Sequence, residues 1–236
     1  MLVGFPPGGG ADIVASQLTP KLGELLGQQV VIDNRGGASD NLLLEMLPKA
    51  VPDGYTLMMT TPAVTVNPAL YPKLGYDTLR DFTLIRLVAS TAYLLVVHPD
   101  VPAKSVQELI ALAKAKPRQL NYSSGGNGAA AHLADELFRS MCGIEIVHVP
   151  YKCVAPALVA PIGSEVQLTF SSQPSTIPHM KDGRLRALGI TSARRSVFTP
   201  DIPTIAEAGV PGHEKTAWYG ARHRAHPGAG DCPAQS

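Results

Sequence analysis

Two glycine-rich turns, "FPPGGGAD" at Phe5–Asp12 and "SSGGNGAAAH" at Ser123–His132, constrain this chain more than any other feature. Each stands between an extended apolar stretch and a helical repeat. Glycine has no Cβ, so it reaches backbone conformations and close approaches that other residues cannot. A helix start leaves about four N–H groups without an intrahelical partner and carries roughly half a positive charge. Such a turn either makes a tight strand-to-helix connection or receives an anion on bare backbone. Pro6 and Pro7 have no N–H, so the donors of the first turn are Gly8, Gly9, Gly10 and Ala11, and the prolines stiffen the entry.

The rest of the chain alternates strand and helix patterns around these turns. Val14, Leu18, Leu22 and Leu25 recur at helical spacing up to Gly27, and Pro20 predicts a kink or a shortened helix. "QVVIDN" reads as a strand, "NLLLEMLPKA" as a helix, "YTLMMTT" as a strand, and "LIRLVAS" and "AYLLVVHP" as two more. The same grammar restarts near Pro99. Ser105 and Glu108 form a capping box, "LNYSS" is a strand, and the second glycine turn opens a helix on which Leu133, Leu137 and Met141 share a face. "EIVHVPY", "EVQLTFSS" and "RLRALGIT" are strands separated by helical segments. The expected fold class is α/β, with two α/β lobes: 1–97 plus 215–236, and 98–214. From about residue 221 the composition predicts a disordered tail.

Composition narrows the function. A net charge of +1 over 236 residues, 17% of them charged, gives no basic surplus for nucleic acid. Three cysteines without C-x-x-C spacing argue against a disulfide framework or a metal site. The first turn lacks the Gly-Lys-Ser/Thr ending of a P-loop and has Ile13 where a dinucleotide fingerprint needs a small residue. Gly126, Gly128 and Ala131 do satisfy G-x-G-x-x-A, but the following strand has no acidic residue at its end to hold a ribose. A small carboxylate suits both turns better, with Ser123, Ser124, Asn127, Thr60 and Thr61 as short polar neighbours. Asp12, His132, His148 and His179 assemble no catalytic or metal-binding set, so no enzyme and no cofactor are expected.

"FPPGGGAD", "PDGYTL", "NPALYPKLGYD", "LNYSSGGNG", "HLADELF", "VHVPYK", "GRLRALGITSARRS" and "PDIPTIAEAGVPG" resemble, in this order, the motifs of the tripartite tricarboxylate transporter substrate-binding family, the Bug receptors. The resemblance covers Leu2 to about Gly220. It implies a type II periplasmic-binding-protein fold: two lobes joined by crossing strands, with a ligand cleft between them. It also implies a small organic carboxylate as ligand and a membrane permease as partner. In the family the two glycine loops hold a carboxylate largely through backbone N–H groups and water. This carries over to Phe5, Pro7, Gly8, Gly9, Asp12, Ser123, Ser124, Asn127 and Gly128, with Thr61 and His132 beside them. Ser171 occupies a cleft position where relatives vary and often carry Asp, which makes it a selectivity point.

The departures from the family are also informative. No signal peptide precedes the first turn, so the chain as written would stay cytoplasmic although the family is periplasmic. "DNRGGASDNLLL" replaces a more glycine-rich stretch, and Cys153 stands where "YKG" is usual. After Gly220 the composition changes abruptly, as a frameshift would produce. Besides the receptor reading, a truncated nonfunctional remnant and a nucleotide-dependent enzyme using the second turn therefore stay open.

Overall fold

The computed structural model describes residues 1–36 and 40–225. These form two compact units: Met1–Pro7, Ala11–Ala89 and the stretch from Trp218 onward in one, Gly8–Gly10 and Ser90–Ala217 in the other.

In the first unit, β1 (Leu2–Val3) lies between β2 (Asp33–Asn34) and β3 (Leu57–Thr60) and runs parallel to both. β4 (Phe82–Val97) and β9 (Thr216–Arg224) continue the order to β2-β1-β3-β9-β4, with β9 antiparallel to β3. Helices α1 (Gly10–Leu26), α2 (Asn41–Met46) and α3 (Ala63–Leu70) complete the unit, and a 3-10 turn at Leu47–Lys49 follows α2. Leu43, Leu44, Leu47, Met58, Val64, Tyr76 and Phe82 form one core cluster; Val3, Ala11, Ala15, Met59 and Tyr219 form another.

The second unit uses the other half of β4. There β7 (Leu168–Ser172) and β8 (Arg186–Ile190) pair antiparallel with β4, while β5 (Asn121–Ser124) lies parallel to β7 and to β6 (Val147–Pro150). Its helices are α4 (Val106–Ala115), α5 (Ala130–Cys142), α6 (Val154–Ile162) and α7 (Gln173–Lys181). The Ser105 hydroxyl caps α4 by accepting the Glu108 N–H at 3.2 Å. The Glu108 carboxylate in turn accepts the Lys104 N–H at 2.7 Å, one residue earlier than in the reciprocal box. The core is built on Leu95, Val97, Leu109, Tyr122, Phe138, Leu168 and Phe170.

Several expectations are corrected. α1 runs through Pro20 to Leu26 without being shortened, and Gly27 follows it at φ +65°. "LIRLVAS" and "AYLLVVHP" are one sixteen-residue strand, β4, because no glycine or proline interrupts them. Only Asp33 and Asn34 of "QVVIDN" pair, since β1 offers just two residues to pair with. The buried face of α5 is Ala131, Ala134, Asp135 and Phe138, whereas Met141 of the expected stripe is exposed. "AVTVNPAL", unassigned from sequence, is α3.

The first residues of the expected tail, Ala221–Arg224, belong to β9, and Ala221–His223 pair with Leu57–Met59 of β3. Backbone pairing needs no apolar periodicity there, and the Arg224 guanidinium is anchored on the Ala50 carbonyl. The remainder of that predicted tail lies outside the described residues. By compactness the chain changes unit around Gly8–Gly10, at Ala89–Ser90 inside β4 and at Ala217–Trp218 inside β9.

Candidate functional site

The first glycine turn joins β1 to α1, with Gly8 at φ +85°. One side chain fastens it from across the strand. The Asn34 amide donates to the Phe5 carbonyl and to the Asp12 carboxylate, both at 2.9 Å. Asp12, in the opening turn of α1, is thus held as a loop fastener. Phe5 is half-buried, Pro7 and Gly8 are exposed, and Gly9 is buried.

Behind this turn lies a residue that the sequence reading passed over. Asp40 is 2% exposed, at φ +68°, and a Cβ placed on Gly4 would stand 1.9 Å from its Oδ1. Gly4 is therefore glycine because the Asp40 carboxyl occupies the space of a side chain. The Thr61 hydroxyl donates to Asp40 Oδ2 at 2.5 Å and accepts the Ala63 N–H at 3.3 Å, which ties Asp40 to the start of α3. Oδ1 has no hydrogen-bond partner among the described residues. Burial pushes the carboxyl up to about 7, against the lowering by the Thr61 bond. The sequence signal was present: this segment departs from the glycine-rich stretch of the resembled family.

The second glycine turn joins β5 to α5, with Gly126 at φ +123° and Gly128 at φ +76°. Ser123 is fully buried and its hydroxyl donates to the Ala157 carbonyl at 2.6 Å, so its side chain serves the packing of α6 on β5. Ser124 Oγ lies 2.6 Å from His148 Nε2 and also bonds the backbone of Gly126. The Gly128 N–H donates to His132 Nδ1 at 3.1 Å. That bond fixes His132 as the neutral tautomer protonated at Nε2. Asn127 is exposed at the crest of the turn.

His148, whose spacing showed nothing in the sequence, is central here. Its ring stacks on His132 at 4.3 Å and on Tyr122 at 4.8 Å. Burial, with His132 beside it, lowers His148 to about 4, and burial lowers His132 as well. The Tyr122 hydroxyl closes the network on Glu136 at 2.6 Å. Two neutral imidazoles thus hold both ends of the second turn. On β7, Ser171 is 1% exposed and its hydroxyl has no partner among the described residues.

Within the first unit the structure joins Phe5 to Asp12 through Asn34, and Thr61 to Asp40. Within the second it joins Ser124, Gly128 and His132 through the paired imidazoles, while the Ser123 hydroxyl turns away to α6. A groove of about 560 Å³ between Gln28–Val31 and Asp53–Leu57 contains none of the sequence-derived site residues. No group of three metal-ligating side chains occurs among the described residues, and no described helix is long and apolar enough to cross a membrane.

Comparison with known proteins gives this arrangement its context. The profile of the Tripartite tricarboxylate transporter family receptor family matches residues 14–227. BugT of Bordetella pertussis is 36% identical over 221 residues, covering 93% of this chain and 68% of BugT. Across the curated relatives matched along most of the chain, it spans 63% to 68% of their length. Among solved structures, the R. palustris protein Rpa4515 with adipate superposes with a TM-score of 0.91 at 39% identity, covering 94% of this chain and 75% of that one. The periplasmic binding protein BugD gives 0.89 at 30%, covering 98% and 77%. MatC from Rhodopseudomonas palustris with bound malate gives 0.87 at 30%, covering 94% and 76%. This is a family of transport receptors, not of enzymes. With a profile match across nearly all its length and these structural likenesses, the chain belongs to the tripartite tricarboxylate transporter receptor family and has the mixed α/β periplasmic-binding-protein fold of the Bug proteins.

Proposed function

We propose that this chain is a solute-binding receptor for a small organic dicarboxylate, which it presents to a tripartite tricarboxylate-type permease on the periplasmic side. The observation that carries the reading is the likeness to a relative solved with adipate, at 39% identity and a TM-score of 0.91. MatC, solved with malate, supports the same ligand class. The physical basis is the pair of glycine turns. Phe5, Pro7, Gly8, Gly9 and Asp12 frame one carboxylate-binding turn with Thr61 at its side. Ser123, Ser124, Asn127 and Gly128, braced by His132, frame the other. Helix-start N–H groups and their partial positive charge favour an anion, and glycine lets it approach.

Two details refine the assignment. The Gly128 N–H is engaged with His132, the Gly126 N–H with Ser124 Oγ and the Ala129 N–H with the Gly126 carbonyl, so a ligand at the second turn draws on its remaining donors or displaces these bonds. Ser171 contributes a buried neutral hydroxyl rather than a carboxylate, which favours ligands without an ammonium group. A thermal-shift screen of the purified chain against C4 to C6 dicarboxylates, acidic amino acids and NAD tests the reading. Ligand present at about 100-fold over its Kd stabilises by about 2.7 kcal/mol. A rise in Tm with dicarboxylates alone is expected, whereas a rise with NAD alone would replace the receptor by a nucleotide-binding protein.

A further inference from the structure

The buried carboxyl of Asp40 stands outside the roles above, and its surroundings are unusual. One oxygen accepts from Thr61, the other has no partner among the described residues, and the Gly4 backbone closes over it. The titratable groups that face it are Tyr219 on β9 and Tyr76 between α3 and β4. Burial raises both phenols, so neither supplies a charge near neutrality. No lysine or arginine is among the groups that shift Asp40 itself. Among the described residues a carboxylate in this place has no counter-ion, whereas a neutral acid buries no charge and keeps the bond from Thr61.

We propose that Asp40 is a proton-dependent positioning residue for ligand capture: in either form it holds Thr61 beside the first glycine turn, and when ionised it also sets a negative charge against the incoming carboxylate. This rests on the reading that the first turn and Thr61 hold a ligand carboxylate. The proton and the ligand are then linked. Whatever factor protonation adds to ligand affinity, bound ligand adds to proton affinity. For a coupling of about tenfold, within the usual range, affinity falls about sixfold between pH 6.5 and 8.5. Binding at pH 7.5 then takes up about half a proton. The titration lies near neutrality because burial raises this carboxyl to about 7.

The test is isothermal titration of adipate and malate, each in two buffers of different ionisation enthalpy, over pH 6.5 to 8.5. Proton uptake by the native chain, with affinity falling as pH rises, is expected. The variant Asp40→Asn keeps an oxygen acceptor for Thr61 and is expected to bind without uptake and with a flat pH profile. Binding of either probe by the native chain with no uptake, or uptake unchanged in Asp40→Asn, would overturn the role of Asp40 and leave the receptor reading standing. No binding of either probe at any pH would overturn both. If the variant fails to fold, binding by the native chain without proton uptake still overturns the role of Asp40.

Discussion

Asp40 and His148 carry opposite burdens at the scale of single residues. Asp40 in the folded chain holds its proton to about pH 7, whereas in the unfolded chain it releases it near 3.8. Between those values the folded state binds more protons, so this residue's contribution to stability declines as pH rises and is fully lost above about 7. A shift of one pKa unit corresponds to about 1.4 kcal/mol, which puts the penalty near 4 kcal/mol at pH 8. Asp40→Asn is therefore expected to be more stable than the native chain by about 2–4 kcal/mol at pH 8 and by much less at pH 5. Urea unfolding at the two pH values measures this, and equal differences at both would refute it. His148 runs the other way: with its folded value lowered to about 4, its contribution is present above about 6.5 and lost as pH falls to 4. His148 was not legible from the sequence, and of Asp40 only the departure of its segment from the glycine-rich family stretch was. Asp40 lies in a turn whose partners, Gly4 and Thr61, are thirty-six and twenty-one positions away. The ring partners of His148 come from β5 and α5, and no spacing rule relates them.

Local chemistry was easier to read at the scale of elements. The glycine turns, the Ser105 cap and the strand-helix alternation follow from residue type and near neighbours, so the sequence foretold them. Lengths and faces depend on what an element packs against, and there the reading slipped. α5 buries an alanine-rich face because β5 and β7 approach it closely, leaving the leucine stripe half-exposed. β4 shows a further consequence of its length. β7 and β8 pair with it only from Tyr93 to Val97, and Leu84, Ile85 and Leu87 are 51% to 57% exposed. The first half of β4 lies beside β9, yet these apolar side chains stay exposed, and such a patch favours self-association. The double variant Leu84→Lys/Leu87→Lys is expected to lower the apparent mass of the purified chain at high concentration, with stability changed by less than about 1 kcal/mol. Analytical ultracentrifugation and urea unfolding check both; an unchanged association state would show that this patch is not the sticky one.

For the molecule as a whole, the two units differ in how much apolar surface each buries. Among the described residues, the main core cluster of the second unit draws on twenty-two buried residues, against seven and five in the two clusters of the first. Since local opening follows local burial, the first unit is expected to exchange its amide hydrogens and be cut by protease before the second. Mass-spectrometric hydrogen exchange measures this, and earlier exchange in β5 and β7 than in β1 and β3 would contradict it. The two-part α/β organisation was visible in the sequence because each part repeats the strand, glycine turn and helix order. The central claim is that both turns are built for an ionised carboxyl group. Its most direct test is calorimetric titration of adipate against its uncharged diamide. The account predicts a saturable binding heat with adipate and none with the diamide; equal binding of both, or heat from the diamide alone, would contradict it.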